Sequence, residues 1–296
     1  MKKLISIVIP AYNEEEMIPQ LTKKLTSFMD SIHKYSFEVI IVDNGSHDRT
    51  MEELIKSRKK EKRIKIVQLA KNERADGGII AGLHFVLGDA AVVMMADLQE
   101  PPEVIPQLIK KWEEGYDVVY GIVMKRKKVP LTRRINTFLY YKITTFLTRG
   151  MVIENASDFR LIDRKVYQTV ISMQEHNAFF RGLIAWTGFR QIGIPFDRSP
   201  RAAGKSKAYL KDVIWVGLNG VFPYSNFFFY LPLVFSLIFF ILIIIFVTVH
   251  ANDLAFESFF STCLLLTLAI ILEYIRRIFS EVQNRPRFIV SEKIGL

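Results

Sequence analysis

A single cysteine, Cys263, stands in 296 residues, so no intramolecular disulfide can form and a reducing compartment suits the chain. Two common nucleotide motifs are also missing. There is no P-loop, and the segment after the first apolar run reads Pro10-Ala11-Tyr12-Asn13-Glu14 where a dinucleotide-binding turn would read G-x-G-x-x-G, which argues against hydride transfer. His33, His47, His84, His176 and His250 show no metal-ligand spacing and read as solvated or packed side chains. No nucleic-acid module signature, internal repeat or low-complexity segment is found. Met1-Lys2-Lys3 before an apolar run looks like a secretory signal, but the run is short, contains Pro10 and gives way to Asn13-Glu14-Glu15-Glu16 without a small-residue cleavage site. A first β-strand is the better reading.

What the chain does have is apolar residue, at 50% of the total, unevenly placed. Phe227 to Val249 carries no charge and is long enough as a helix to cross a hydrocarbon core of ~30 Å, so it reads as a transmembrane span rather than a buried core helix. Phe259 to Leu272 is a shorter run between Glu257 and Glu273 and reads as a second span that reaches the interfaces through its flanks. The link from His250 to Ser258 holds Asp253 and Glu257 but no Lys or Arg, whereas Arg276, Arg277, Arg285, Arg287 and Lys293 follow the second run. The positive-inside rule then puts the N-terminal domain and the basic tail in the cytoplasm, with the short link outside, and the chain is expected to be integral to the cell inner membrane. The net charge of +10, from 40 Lys and Arg against 30 Asp and Glu, suits an anionic membrane surface or a phosphorylated substrate.

Over the first 120 positions β-rich runs alternate with helical patterns: Leu4 to Ile9, Glu38 to Val42, Ile64 to Leu69, Ala91 to Met95 and Val118 to Tyr120 read as strands. That alternation predicts an α/β domain with a largely parallel sheet, whose ligand site lies beyond the C-terminal strand ends. Polar and acidic turns stand there: Tyr12-Asn13-Glu14, Asp43-Asn44-Gly45-Ser46 and Asp97-Leu98-Gln99-Glu100. From Leu131 to Arg149, Ile135, Leu139, Ile143 and Phe146 recur at helical spacing among Arg133, Arg134 and Lys142. This fits a helix on a membrane surface or an ordinary helix packed on the sheet. Tyr209 to Tyr224 leaves the same choice open.

The runs SIVIPAYNEE (Ser6 to Glu15), VDNGSHDRT (Val42 to Thr50) and ADLQEPPE (Ala96 to Glu103) closely resemble family 2 inverting glycosyltransferases. DFRLIDRKV (Asp158 to Val166), RGLIAWTGFRQ (Arg181 to Gln191), PRAAGKSK (Pro200 to Lys207) and EYIRRIFSEVQNRPRFIV (Glu273 to Val290) resemble the polyprenyl-phosphate branch, which includes dolichol-phosphate mannose synthase and the bactoprenol glucosyltransferases. The resemblance covers nearly the whole chain. It implies a GT-A type nucleotide-diphosphosugar fold over 1–210 with the interface helix at about 131–149, a juxtamembrane amphipathic segment at 211–226, spans at about 227–249 and 256–275, and a cytoplasmic basic tail at 276–296.

It also implies an inverting transfer of a hexose-type sugar from a UDP- or GDP-sugar to a polyprenyl phosphate, undecaprenyl or dolichyl, with Mg²⁺ or Mn²⁺. Carboxylate and amide oxygens are hard ligands suited to those ions, and Asp97 and Gln99 are the implied metal ligands. Pro10, Tyr12, Glu14, Asp43, Ala96, Asp97, Arg201 and Lys207 would contact the donor; Tyr12 reads equally well as a core residue. Arg126, Arg133, Arg134, Lys205 and Ser206 would receive the acceptor phosphate, although juxtamembrane Arg also binds lipid headgroups generally. Asp97 and Asp158 are the implied catalytic carboxylates, Asp158 orienting the acceptor or a basic partner such as Arg160, with a turn cap as its bland alternative. A flippase, a downstream glycosyltransferase and a second copy of the chain are candidate partners.

The chain departs from the family pattern in four places. Met95 stands where an acidic residue is usual two positions before Asp97, and Asn44 where a second Asp is frequent. A phenylalanine-glycine-lysine-glutamate run is usual after Asn72, but Glu73-Arg74-Ala75-Asp76-Gly77-Gly78 occurs here, and Val123 holds a place where a basic residue is common. These changes leave a competing reading, a catalytically weak or inactive nucleotide-sugar-binding scaffold. A processive polysaccharide synthase is disfavoured, since neither a glutamine-x-x-arginine-tryptophan motif nor further spans are evident.

Overall fold

The computed structural model describes residues 2–124, 155–173, 178–199, 227–249 and 254–296, with single positions 142, 145, 148, 150, 151, 153, 175, 176, 224 and 225. All but 142, 145 and 148 of the expected interface helix at about 131–149, all but 224 and 225 of 211–226, and Arg126, Arg133, Arg134, Arg201, Lys205, Ser206 and Lys207 lie outside the described residues.

Eight strands form one sheet: β1 (Leu4–Ala11), β2 (Ser36–Asp43), β3 (Ile64–Leu69), β4 (Ala90–Val93), β5 (Val118–Val123), β6 (Ala156–Asp163), β7 (Gln191–Phe196) and β8 (Val290–Ile294), in the order β7-β5-β6-β4-β1-β2-β3-β8. Strands β1 to β4 are mutually parallel, as the alternating pattern predicts. Beyond them β6 runs antiparallel to both β4 and β5, and β8 antiparallel to β3. The result is the mixed sheet of an α/β, GT-A-like domain.

Side-chain alternation along the strands feeds two cores. Ile5, Ile7 and Ile9 with Val39 and Ile41 face α1 (Ile18–Ser31), α2 (Thr50–Lys60) and α4 (Ile105–Glu113). Val8, Ile40 and Val42 face α3 (Arg74–Leu83), α5 (Arg164–Ser172) and α6 (Phe180–Trp186). The stripe Ile105, Leu108, Ile109 and Trp112 shows the helical version of the same logic on α4. Close approach of α3 to β1 depends on Gly82, where a Cβ would stand 2.5 Å from Val8 Cγ1.

Two C-terminal helices follow, α7 (Phe227–Val249) and α8 (Leu254–Val282). Their side chains are described at 227, 228, 230–242, 257 and from 260 onward. Among the described residues no helix is long and apolar enough to cross a membrane. Within the basic tail expected at 276–296, α8 continues to Val282, and Val290–Ile294 closes the sheet edge against β3. Register explains why the tail is legible as charge but not as strand, because its pairing partner lies more than 200 positions earlier.

Candidate active site

The C-terminal ends of β1 to β4 and the N-terminal end of β6 meet on one sheet edge, since Ala11 pairs with Asp43, Asp43 with Gln68, Val8 with Val93, and Val93 with Arg160. The turn after β2 is bound to the turn after β1. Ser46 Oγ accepts the Asn13 N–H at 2.9 Å, Asn13 Oδ1 accepts the His47 N–H at 2.8 Å, and Thr50 Oγ1 accepts the Glu14 N–H at 2.8 Å. Gly45, at φ 69°, lets this turn touch the Lys71 backbone, which a Cβ would meet at 2.7 Å.

Asp43 is fully buried, accepting the Ser46 N–H at 3.2 Å and the Gln68 side-chain amide at 3.3 Å. Pro10 is buried beside it, and Tyr12 and Glu14 are half-buried at the rim, the Tyr12 ring edge-on to His47 at 6.4 Å. Asn44 holds the onset of α3: its Oδ1 accepts the Glu73 N–H at 2.9 Å and its Nδ2 donates to Arg74 O at 2.7 Å. Arg74, in that loop, adopts φ 60°.

After β4, Ala96 and Asp97 are buried and Leu98 turns the chain at φ 54°. A left-handed leucine is uncommon outside functional turns. Asp97 Oδ1 accepts the Gln99 N–H at 3.2 Å, so the two implied metal ligands share one turn. Gln99 also ties to the segment after β7, donating from Nε2 to Ser199 O at 3.3 Å and accepting the Ser199 N–H at 3.0 Å on its backbone carbonyl. Glu100 turns inward. It accepts the Ser157 hydroxyl at 2.6 Å and the Met95 N–H at 2.9 Å, and burial pushes its pKa up. Glu100 thus links the Asp97 turn to β6 and is committed to that link.

Asp158 lies inside β6, which excludes a turn-capping role. Its partner is Arg181 on α6, not Arg160: Nε and Nη2 of Arg181 donate to Oδ1 and Oδ2 at 2.6 Å each. The Asp158 side chain keeps 19% of its exposure. Burial opposes its charge, yet the Arg181 guanidinium, with Arg160 and Arg198 behind it, holds the carboxyl below the usual range. Arg160 instead donates from Nη2 to Ser157 O at 2.7 Å, with its guanidinium 5.4 Å from the Phe180 ring centre. Burial brings its pKa down to about 10.

Asp76 completes this cluster, having no role assigned from sequence. Its Oδ1 accepts the Phe180 N–H at 3.1 Å, at the start of the helix that carries Arg181. Burial and then the neighbouring Asp158 charge push it up to about 7. The sequence signal for Arg181 lay in the quoted RGLIAWTGFRQ run, but nothing local names Asp158 as its partner. Among the described residues no group of three or more His, Cys, Asp or Glu side chains stands ready to hold a metal.

Comparison with known proteins identifies the family. The family model Glycosyl transferase family 2 matches residues 6–171, more than half of the chain. An uncharacterized glycosyltransferase of Synechocystis sp. is 35% identical, covering 99% of this chain and 96% of its own length. The SfII prophage-derived bactoprenol glucosyl transferase of Shigella flexneri is 30% identical, covering 97% of each. Among solved structures, glucosyl-3-phosphoglycerate synthase of Mycobacterium tuberculosis is similar over 74% of this chain and 80% of its own, at 20% identity and a TM-score of 0.49. The matched domain and the near-full-length relatives establish that this chain is a glycosyltransferase belonging to glycosyl transferase family 2, in the branch that contains the bactoprenol glucosyl transferases.

Proposed function

We propose that the protein moves a hexose-type sugar from a UDP- or GDP-sugar to a polyprenyl phosphate, with inversion, at the cytoplasmic face of the cell inner membrane. The observation that carries the reading is the Asp158 carboxylate, held by both Arg181 donors on the edge that also bears Asp43 and Asp97. A carboxylate with a lowered pKa is a poor proton acceptor. A phosphate monoester needs none, because it is already largely dianionic near pH 7. Its oxygen attacks the anomeric carbon, the bond to the nucleoside diphosphate breaks, and the electron pair leaves on the diphosphate. Asp158 and Arg181 orient the acceptor and balance charge during that displacement.

On the donor side, Asp43 is suited to the base or ribose, with Pro10, Tyr12, Glu14 and Ala96 around it. Asp97 and Gln99 would hold Mg²⁺ or Mn²⁺. One carboxylate and an amide fit Mg²⁺, which takes few protein ligands and completes its shell with water and substrate phosphates. Such an ion would stabilise the departing diphosphate. Arg201 and Lys207 belong to the chain that follows Ser199, itself bonded to Gln99, and Arg126, Arg133, Arg134, Lys205 and Ser206 remain the proposed acceptor contacts.

The membrane reading rests on the sequence, where Phe227 to Val249 carries no charge. Leu233, Leu237 and Phe240 are exposed on α7, as are Leu265 and Leu272 on α8. Tyr224, three positions before α7, lies 6.4 Å from the Phe179 ring, and β8, after α8, pairs with β3, so the chain meets the domain on both sides of these helices.

The test is transfer from labelled UDP- and GDP-sugars to polyprenyl phosphate by purified protein, with and without Mg²⁺ or Mn²⁺, beside Asp97→Ala. Metal-dependent labelled lipid that disappears in the variant is expected. Donor binding without turnover, with acceptor and fold intact, would favour the scaffold and point to Met95.

A further inference from the structure

Away from the Asp97 turn, a cavity of about 320 Å³ lies between the outer face of α3, the 176–178 segment and residues 287–288; Asn72, Glu73, Arg74, Asp76, His176 and Arg287 line it. The segment carrying Arg287 is pinned on both sides. His176 donates its N–H to Glu281 Oε1 at 2.9 Å and bonds Arg285 O through Nε2 at 2.6 Å, while Ala70 N–H donates to Ile289 O at 2.8 Å. The Phe288 ring meets His84 at 5.2 Å. Arg287 is therefore held in place and is not a loose surface side chain.

None of its three guanidinium nitrogens, all enclosed, has a hydrogen-bond partner among the described residues. Burial lowers the Arg287 pKa although Glu175 and Glu281 act to raise it, so those acids leave the charge under-compensated. A guanidinium offers five N–H donors, and leaving them unfilled in an enclosed site is costly. The same cavity holds an unfilled acceptor. Glu73 Oε1 is enclosed without a hydrogen bond, its Lys71 Nζ contact at 3.2 Å being charge alone.

We propose that this cavity binds a phosphate monoester, whose oxygens accept from Arg287 and whose remaining P–OH donates to Glu73. Unfilled donors and an unfilled acceptor in one cavity call for a ligand with both functions. The monoanion of a phosphate monoester, populated at and below its second pKa of about 6, provides them, whereas sulfate has no proton to give. Free phosphate and the phosphomonoester head of a lipid offer the same P–O acceptors and P–OH donor, and α8 runs directly into this segment.

The test uses full-length purified protein and does not depend on sugar transfer. Radiolabelled inorganic phosphate is measured by equilibrium dialysis in detergent, and phosphatidic acid by binding to lipid nanodiscs with phosphatidylcholine as control. Saturable binding of phosphate, phosphatidic acid or both is expected, weakened about 10–100-fold in Arg287→Gln, partly kept in Arg287→Lys and kept in Asp97→Ala. Sulfate should compete at least tenfold worse than phosphate, a preference erased in Glu73→Gln. Phosphate binding alone identifies the free anion as the source, and phosphatidic acid alone the lipid. Absence of Arg287-dependent binding of either probe, in variants that unfold at the wild-type temperature, overturns the proposal. Equal competition by sulfate overturns the monoester assignment.

Discussion

The two halves of the sheet edge hold their carboxylates by different physics. On the parallel half, Asp43 is fixed by a backbone amide of its own turn and a neutral side-chain amide from the next strand. On the mixed half, Asp158 is gripped by a guanidinium, with Arg160 lowered to about 10 and Asp76 raised to about 7 nearby. A neutral cradle is suited to holding a ligand in one pose. A cluster of opposed charges held out of water responds strongly to charge that appears or moves beside it.

The sharpest way to break this comparison is to neutralise one carboxylate in each half. Asp158→Asn should lower kcat about 10²–10³-fold with little change in donor KM, as expected for a group that acts electrostatically on the transition state. Asp43→Asn should instead raise donor KM about 10-fold at nearly unchanged kcat, the cost of one misfitted buried acceptor. Steady-state kinetics on both variants decides the matter, and equal losses of kcat would erase the distinction between the halves.

Next in size is Arg181→Lys, which keeps the charge but loses the fork, for an expected kcat loss of about 10–100-fold. If Asp158 and Arg181 act as one unit, the double variant Asp158→Asn with Arg181→Lys should be hardly slower than Asp158→Asn alone. Additive losses would mean that each residue serves a separate partner.

The two halves also differ in how far the sequence exposes them. Ile64–Leu69 has the bounds its pattern predicts, and the other four expected strands agree within two or three positions at each end. Period-two apolar runs and acidic post-strand turns are local, so Asp43, Asp97 and Gln99 could be placed on the edge by reading along the chain. The Asp158–Arg181 pair joins positions 23 apart and the Asp76–Phe180 bond positions 104 apart. Such contacts follow from where β6 inserts between β4 and β5, which no periodicity encodes. Arg160, two positions along the same strand, was the natural local guess for the partner. Arg160 instead bonds its own strand at Ser157 O. The strand β8 is hidden for the same reason: its five residues carry three polar side chains and look like tail until β3 supplies their partners.

A smaller effect tests the electrostatics of the mixed half through stability. The pKa of Asp76 rises from 3.8 to about 7 on folding. An acid raised in this way favours the fold fully below pH 4, and the contribution is lost as pH climbs through 7. Asp158 is shifted the other way, so its contribution is lost only in acid, outside that window. Asp76→Asn should therefore remove part of the stability fall between pH 5 and 8, on the order of 2 kcal/mol, leaving the variant relatively more stable at pH 8 than at pH 5. Thermal unfolding of both proteins across that range checks the sign. Asp158, Arg160, Arg181 and Tyr224 face this carboxyl electrostatically, and a parallel pair of curves would mean that they already keep it ionised at neutral pH.

The smallest effect belongs to the parallel half, where strain is carried by backbone rather than by charge. Arg74 stands at φ 60°, a conformation that costs an L-residue about 1–2 kcal/mol, and Asn44 holds it there by accepting the Glu73 N–H and donating to Arg74 O. Glycine adopts this region without a Cβ clash but loses more freedom on folding, so Arg74→Gly should gain only about 0.5–1 kcal/mol. In a domain of this size that is a rise of about 1–4 °C in Tm. The Asn44 bonds use backbone atoms of 73 and 74 and survive the change, so the loop should keep its course. Asn44→Ala in the same background should then cost more than the glycine gains, because two backbone groups lose their partners. If Arg74→Gly lowers Tm, the Arg74 side chain holds the loop more tightly than its strained backbone loosens it, and the parallel half depends on a charge after all.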